Sequence, residues 1–237
     1  MINANLLLGF ALGMRHGTDP DHLTAIDGLS RIRARATNGL FFALGHGLVV
    51  TLLAAGVGKI VAGRAAFIGP WVLIAIGSVN LWKVFHAKPA LPASKRPIVA
   101  QPFLLGMLLA AGFETASQLS VLILAGQTNP WLLGATFCGG MALVDGLDGY
   151  LAASTQNMAA TGGANARIAS QALGILVVVF SFGLGGAELL GLEFDRFALP
   201  LGLALFVVVI AIRVWARSAS LPLLAETLFA RSNSQTE

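Results

Sequence analysis

The feature that most constrains this chain is a succession of long apolar runs; one of them, residues 168–191, has no ionisable group in its middle. A bilayer core about 30 Å thick needs about 20 apolar residues per helix. The runs are continuous and do not alternate with period two, which favours helices over a membrane barrel. Composition agrees: 56% of residues are hydrophobic and only 11% charged, against roughly 25% charged in soluble domains. The 28 glycines suit membrane helices, since small residues let backbones approach closely. The expected fold is therefore an all-α polytopic transmembrane bundle.

Seven spans are read, at about 3–28, 38–62, 67–86, 102–125, 130–154, 168–191 and 196–216. Residues 1–217 form one transmembrane domain, and 218–237 a polar cytoplasmic tail. Arg31, Arg33 and Arg35 follow the first span, and Lys83, Lys88, Lys95 and Arg96 surround the linker after the third. Arg167 follows the fifth, and Arg213, Arg217 and Arg231 follow the seventh. These alternate connections hold 11 of the 15 basic residues. The positive-inside rule then places the N-terminus outside and the C-terminus in the cytoplasm. The same distribution explains the net charge of +4 without nucleic acid. The N-terminus lacks a basic n-region, so the first run is expected to be a retained helix. The single cysteine, Cys138, excludes an intrachain disulfide.

A trace of duplication accompanies the count. Leu7-Leu8-Gly9 opens the first span and Leu104-Leu105-Gly106 the fourth, while Gly45-His46-Gly47 in the second is echoed by Gly139-Gly140 in the fifth. A three-helix unit repeated after an odd number of crossings would be inverted, giving a three-plus-three arrangement with one extra helix.

Inside the first run lies Arg15-His16-Gly17-Thr18-Asp19-Pro20-Asp21-His22-Leu23. Ionisable groups within a membrane are expensive and mark ion pathways. At 100° per residue, a straight helix puts His16, Asp19 and His22 on one face and turns Asp21 away. Pro20 changes this, because it lacks an N–H and crowds the carbonyl of His16. A bend or unwound stretch at Thr18–Pro20 could bring Asp21 inward and free a carbonyl. Asp27 lies on the His16 face nearer the cytoplasm. It is read either as a waystation or as a partner of the Arg31–Arg35 group. His46, flanked by glycines in the second span, suits a third imidazole ligand. His86 is read as interfacial. Glu114 and Gln118 share a face of the fourth span, as do Asp145 and Asp148 in the fifth.

Six of the eleven acidic residues fall within spans. They must bind a cation or proton, or answer a buried positive charge, for which Arg15 is the obvious candidate. The count favours the cation or proton. The sixth and seventh spans are read as scaffold. Imidazole with carboxylate suits a late first-row metal better than magnesium or calcium.

These residues resemble the nickel/cobalt transporter family (NiCoT). Its signature helix, Arg-His-Ala-x-Asp-Ala-Asp-His-Ile, is similar to Arg15–Leu23, followed by Ala25-Ile26-Asp27. Its second motif, Phe-x-x-Gly-His-Ser-x-Val-Val, resembles Phe42–Val50, and its third, Leu-Gly-x-Asp-Thr-Ala-Thr-Glu, resembles Ala111–Gln118 with Glu114 and Thr115. Its fourth, Gly-Met-x-x-x-Asp-Thr-x-Asp, resembles Gly140-Met141 with Asp145 and Asp148. The chain departs at Pro20, Gly47, Glu114, Gln118 and Gly146, and with seven spans read it is expected to be without the first of the family's usual eight. The resemblance implies secondary uptake of Ni²⁺ or Co²⁺ across the cytoplasmic (inner) membrane, as transported substrate rather than cofactor. The first-motif histidines and aspartates would be essential.

The expected ligands are His16, Asp19, Asp21, His22 and His46. Arg15, Asp27, Glu114, Thr115, Gln118, Asp145 and Asp148 would support the path. No Gly-x-x-x-x-Gly-Lys-Ser/Thr loop is present, so no ATPase subunit is evident. The alternatives are a transporter of another divalent metal, a metal exporter, or an intramembrane metal-dependent hydrolase. The last would need a His-Glu-x-x-His motif or nucleophile elbow that the sequence lacks. No enzymatic activity is therefore expected.

Overall fold

The computed structural model describes residues 4–57, 68–86, 101–112, 116–192 and 195–218. Among these there is no strand. The helices are α1 (Ala4–His16), α2 (Pro20–Ile32), α3 (Asn38–Ala54), α4 (Ile68–Phe85), α5 (Pro102–Gly112), α6 (Ala116–Leu124), α7 (Pro130–Ala160), α8 (Ala164–Leu189) and α9 (Asp195–Ser218). Four stretches, in α4, α7, α8 and α9, are long and apolar enough to cross a membrane by themselves. The tail from residue 219 and the linkers 58–67 and 87–100 lie outside the described residues.

Ionisable residues are gathered inside the molecule, while many large apolar side chains face outward. His16, Asp19, His22, Asp27, His46, Asp145, Asp148 and Arg213 are all buried, whereas Trp71, Trp82, Leu143, Ile175, Val179 and Val207 are exposed. In water this would be costly; facing lipid tails, it is the expected arrangement.

The first run is two helices rather than one. α1 ends at His16, and α2 begins at Pro20 behind Asp19, an N-cap in extended conformation (φ −65°, ψ 146°). Proline suits the first helical position because its missing N–H would have no intrahelical partner there. Asp21, in the first turn, complements the positive end of the helix dipole. The break does not free the His16 carbonyl as expected. That oxygen accepts from the Asp19 N–H at 2.9 Å, while the Arg15 carbonyl accepts from the Thr18 N–H at 3.0 Å and its hydroxyl at 2.6 Å.

Glycines set how closely the helices cross. At Gly13 any Cβ would collide with the Phe137 backbone, and at Gly39 with the Asp145 carbonyl. The neighbours also give relative directions. Gly9, Gly13 and Gly17 of the first run lie against Leu133, Phe137 and Val144, so α1 runs parallel to α7. Gly39 against Asp145, Gly47 against Cys138, and Thr51 against Gly134 make α3 and α7 antiparallel. α9 runs alongside α2 in the same sense: Gly202 touches the Thr18 carbonyl, and Arg213 reaches Asp27.

Around this frame, Ile26 and Leu29 of α2 pack with Phe42, Leu73, Ile76, Leu105, Leu109 and Val177. α7 extends to Ala160, past the expected end near residue 154, starting from an Asn129 cap that accepts from the N–H groups of Trp131 and Leu132. At the turn into α8, Gly162 has φ +100°, a conformation in which other residues are strained.

Candidate metal centre

Three imidazoles converge where the α1–α2 break meets α3. His16 closes α1, His22 stands in the first turn of α2, and His46 lies mid-α3 between two glycines. All three are fully buried. Their ring centroids lie 4.4 Å apart for His16–His22, 4.5 Å for His22–His46 and 4.8 Å for His16–His46. One nitrogen from each falls within 4.8 Å of the others. Phe42 meets the His22 ring edge-on at 4.9 Å, and Phe137 lies 5.4 Å from His16. These rings wall the site with apolar surface.

Carboxylates fix the histidines from behind. His16 Nδ1 donates to Asp19 Oδ2 at 2.8 Å, and His22 Nδ1 donates to Asp145 Oδ2 at 3.1 Å. Both bonds leave Nε2 as the lone-pair nitrogen, the outer-sphere arrangement that orients metal-binding histidines. His16 Nε2 and His46 Nε2 are 2.9 Å apart. With His16 Nδ1–H committed to Asp19, His46 is the donor in that contact. A metal ion would take the place of the shared proton. Two nitrogens each about 2.0–2.1 Å from one ion, at right angles, are themselves about 2.9 Å apart. His22 Nε2 is buried without a hydrogen-bond partner among the described residues, and supplies a third donor.

The remaining expected residues divide. Asp19 and Asp145 hold histidines. Asp21 is buried, with one carboxylate oxygen unpartnered among the described residues, and is not part of the histidine group. Arg15 is half-buried at the end of α1. Glu114 and Thr115 lie outside the described residues, as does the side chain of Gln118. His86 is exposed and stacks on Trp82 at 4.0 Å.

Asp27 and Asp148 meet a partner that the sequence reading did not name. Both pair with Arg213, whose guanidinium donates to Asp148 Oδ1 at 2.6 Å and to Asp27 Oδ1 at 2.8 Å. Arg213 was expected beyond the seventh span; instead it is inside α9 and 1% exposed. α9, read as scaffold, thus carries a buried cation, and the positive charge that answers part of the acidic cluster is Arg213. The signal was present in sequence, as a lone arginine between Val207-Val208-Val209-Ile210-Ala211-Ile212 and Val214-Trp215-Ala216. Asp27 accordingly bonds Arg213 rather than the Arg31–Arg35 group. Arg31 instead turns to α8, donating to the Ser170 carbonyl and hydroxyl.

Fold and site together define a multi-pass helical membrane protein with a carboxylate-buttressed histidine site buried between its helices. Residues 4–66 match the family described as high-affinity nickel-transport protein. A high-affinity nickel transport protein of Cupriavidus necator is 27% identical over 250 aligned residues, covering 81% of this chain and 71% of the relative. The hydrogenase nickel incorporation protein HupN of Bradyrhizobium diazoefficiens is 28% identical, covering 85% of this chain and 68% of its own. The cobalt transport protein NhlF of Rhodococcus rhodochrous is 43% identical over 53 residues, covering 20% of this chain and 15% of its own. The chain is thus similar to nickel and cobalt transport proteins, over most of its length for the first two relatives. No solved structure matches it.

Proposed function

We propose that this chain is a secondary permease that takes up Ni²⁺ or Co²⁺ across the cytoplasmic membrane. The observation that carries the reading is the convergence of His16, His22 and His46 within 4.8 Å, inside a protein whose exterior is apolar. The names of the relatives point the same way. Imidazole donors favour late first-row divalent ions over magnesium and calcium. In this reading a partly dehydrated ion enters from outside and exchanges water for the three imidazoles. Asp19 and Asp145 hold two of the rings and offset the ion's charge, and Asp21 supplies a further carboxylate beside it. An inside-negative potential contributes about 2.3 kcal/mol per charge per 100 mV, so about twice that for a divalent ion. Uptake can then proceed without nucleotide hydrolysis.

The same reading gives seven crossings, with α1–α2 and α5–α6 each forming one. The parallel run of α9 beside α2, and of α7 beside α1, agrees with odd-numbered crossings pointing one way. With Arg213 moved inside, ten basic residues remain on the side read as cytoplasmic, so the N-out orientation keeps its support. An inverted repeat of α1–α4 and α5–α8 is supported by matched crossings. Phe10 and Gly13 of α1 meet Phe137 and Gly140 of α7, while Phe103 and Gly106 of α5 meet Phe42 and Gly45 of α3. Each crossing joins two Phe-x-x-Gly segments, which aligns Gly106 with Gly13 rather than Gly9.

The test is metal flux into proteoliposomes containing the purified chain, compared with His16→Ala and His22→Ala. Flux is expected to be lost in both variants. Unchanged flux would remove the histidine site from the transport path, and outward-only movement would make the protein an exporter.

A further inference from the structure

The ion triad Asp27–Arg213–Asp148 lies next to the histidine site and joins three helices. Asp148 is one turn along α7 from Asp145, which holds His22, and Asp27 is five residues beyond His22 on α2. α9 contributes no imidazole, yet it sends one fully buried guanidinium across to both carboxylates. The three residues are at most 2% exposed. One cation thus answers two carboxylates. Asp148 Oδ2 and, a turn nearer the histidines, Asp145 Oδ1 are buried without hydrogen-bond partners among the described residues. Four residues beyond Asp27 on α2, Arg31 makes further polar contacts. Arg31 donates to Ser170, and the Ser170 hydroxyl donates to Gln156 Oε1 at 2.8 Å.

Arrangements that only tie helices together do not need two carboxylates on one guanidinium with one buried oxygen left over. We propose that Arg213 is the gating residue of this path: its guanidinium occupies Asp27 and Asp148 as a tethered cation, and a divalent ion leaving the histidines must displace it. The proposal rests on the metal-transport reading above. Physically, the guanidinium and the passing ion compete for the same oxygens. Two carboxylates with no cation between them would hold a divalent ion too firmly for it to leave. With arginine present, the ion's departure is assisted because the guanidinium returns to its place. Hard carboxylate oxygens are also weaker partners than imidazole for a late first-row metal, so the step runs from the tighter set toward the looser one.

The experiment uses the full chain in lipid nanodiscs for Ni²⁺ stoichiometry, by equilibrium dialysis, and in proteoliposomes for flux. Wild type is expected to bind one ion, and Arg213→Gln to bind two, with flux at least tenfold lower. Adding Asp148→Asn to Arg213→Gln should return the stoichiometry to one. Combining Arg213→Gln with His16→Ala should leave a single ion, held at the carboxylates. Arg213→Lys keeps the charge without the two-pronged bridge, so it should bind one ion and keep flux within threefold. It carries the test if the glutamine variant does not fold. One ion bound by folded Arg213→Gln, or lost flux in folded Arg213→Lys, would make the triad a structural tie and overturn the proposal. A wild-type chain that binds no Ni²⁺ would instead remove the metal-transport reading.

Discussion

His16 Nε2 and His46 Nε2 lie 2.9 Å apart although their residues are thirty positions apart in the chain. The contact joins the end of α1 to the middle of α3. It is close because Gly45 and Gly47 on either side of His46 leave room for neighbouring helices, Gly45 against Phe103 and Gly47 against Cys138. Once His46 gives up the proton it donates to His16, the two nitrogens are already near the positions they would take around one ion.

Removing either ring should therefore abolish tight binding. His46→Ala or His16→Ala is expected to weaken Ni²⁺ binding by more than about 100-fold, beyond the 10–100-fold typical of an outer partner. Calorimetric titration of the purified chain checks this, and an affinity within threefold of wild type would place the ion elsewhere.

The buttressing carboxylates should show the smaller effect. Asp19→Asn and Asp145→Asn keep the shape but weaken the bonds that orient His16 and His22. Each is expected to lower metal affinity by about 10–100-fold. If either matched the loss from removing a histidine, that aspartate would be a ligand itself.

Proton competition sets the pH dependence. A protonated imidazole has no lone pair for a metal, and the ordinary imidazole value is about 6.5. Binding should therefore weaken as pH falls, with up to three protons competing with one ion. Affinity measured between pH 5.5 and 7.5 reads the slope; affinity rising toward acid would exclude neutral imidazoles as the ligands.

The glycine crossings make a stability prediction. Gly39→Ala places a methyl group against the Asp145 carbonyl, and backbone must move to accept it. Overpacking of this kind costs about 1–3 kcal/mol. A lower thermal midpoint in detergent is expected, together with weaker metal binding, because Asp145 holds His22. A surface change such as Val207→Ala should leave both unaltered.

Sequence alone was enough to establish a helical membrane protein, because apolar runs of this length have few other stable destinations. It also picked out His16, His22, His46, Asp19 and Asp145, since ionisable groups in lipid are costly enough to stand out one by one. The break before Pro20 was legible from the missing N–H. Partnership was not. In a soluble helix the apolar stripe tells which face turns inward, but here the outward faces are apolar too, so periodicity does not say which residues meet. That is why Arg213 was read as following the seventh span and neither reading of Asp27 named Arg213 as its partner. Only the packing of α9 beside α2 and α7 decided that one guanidinium answers Asp27 and Asp148 together. Likewise, only the crossings at Gly13, Gly39 and Gly45 brought the three imidazoles to a single point.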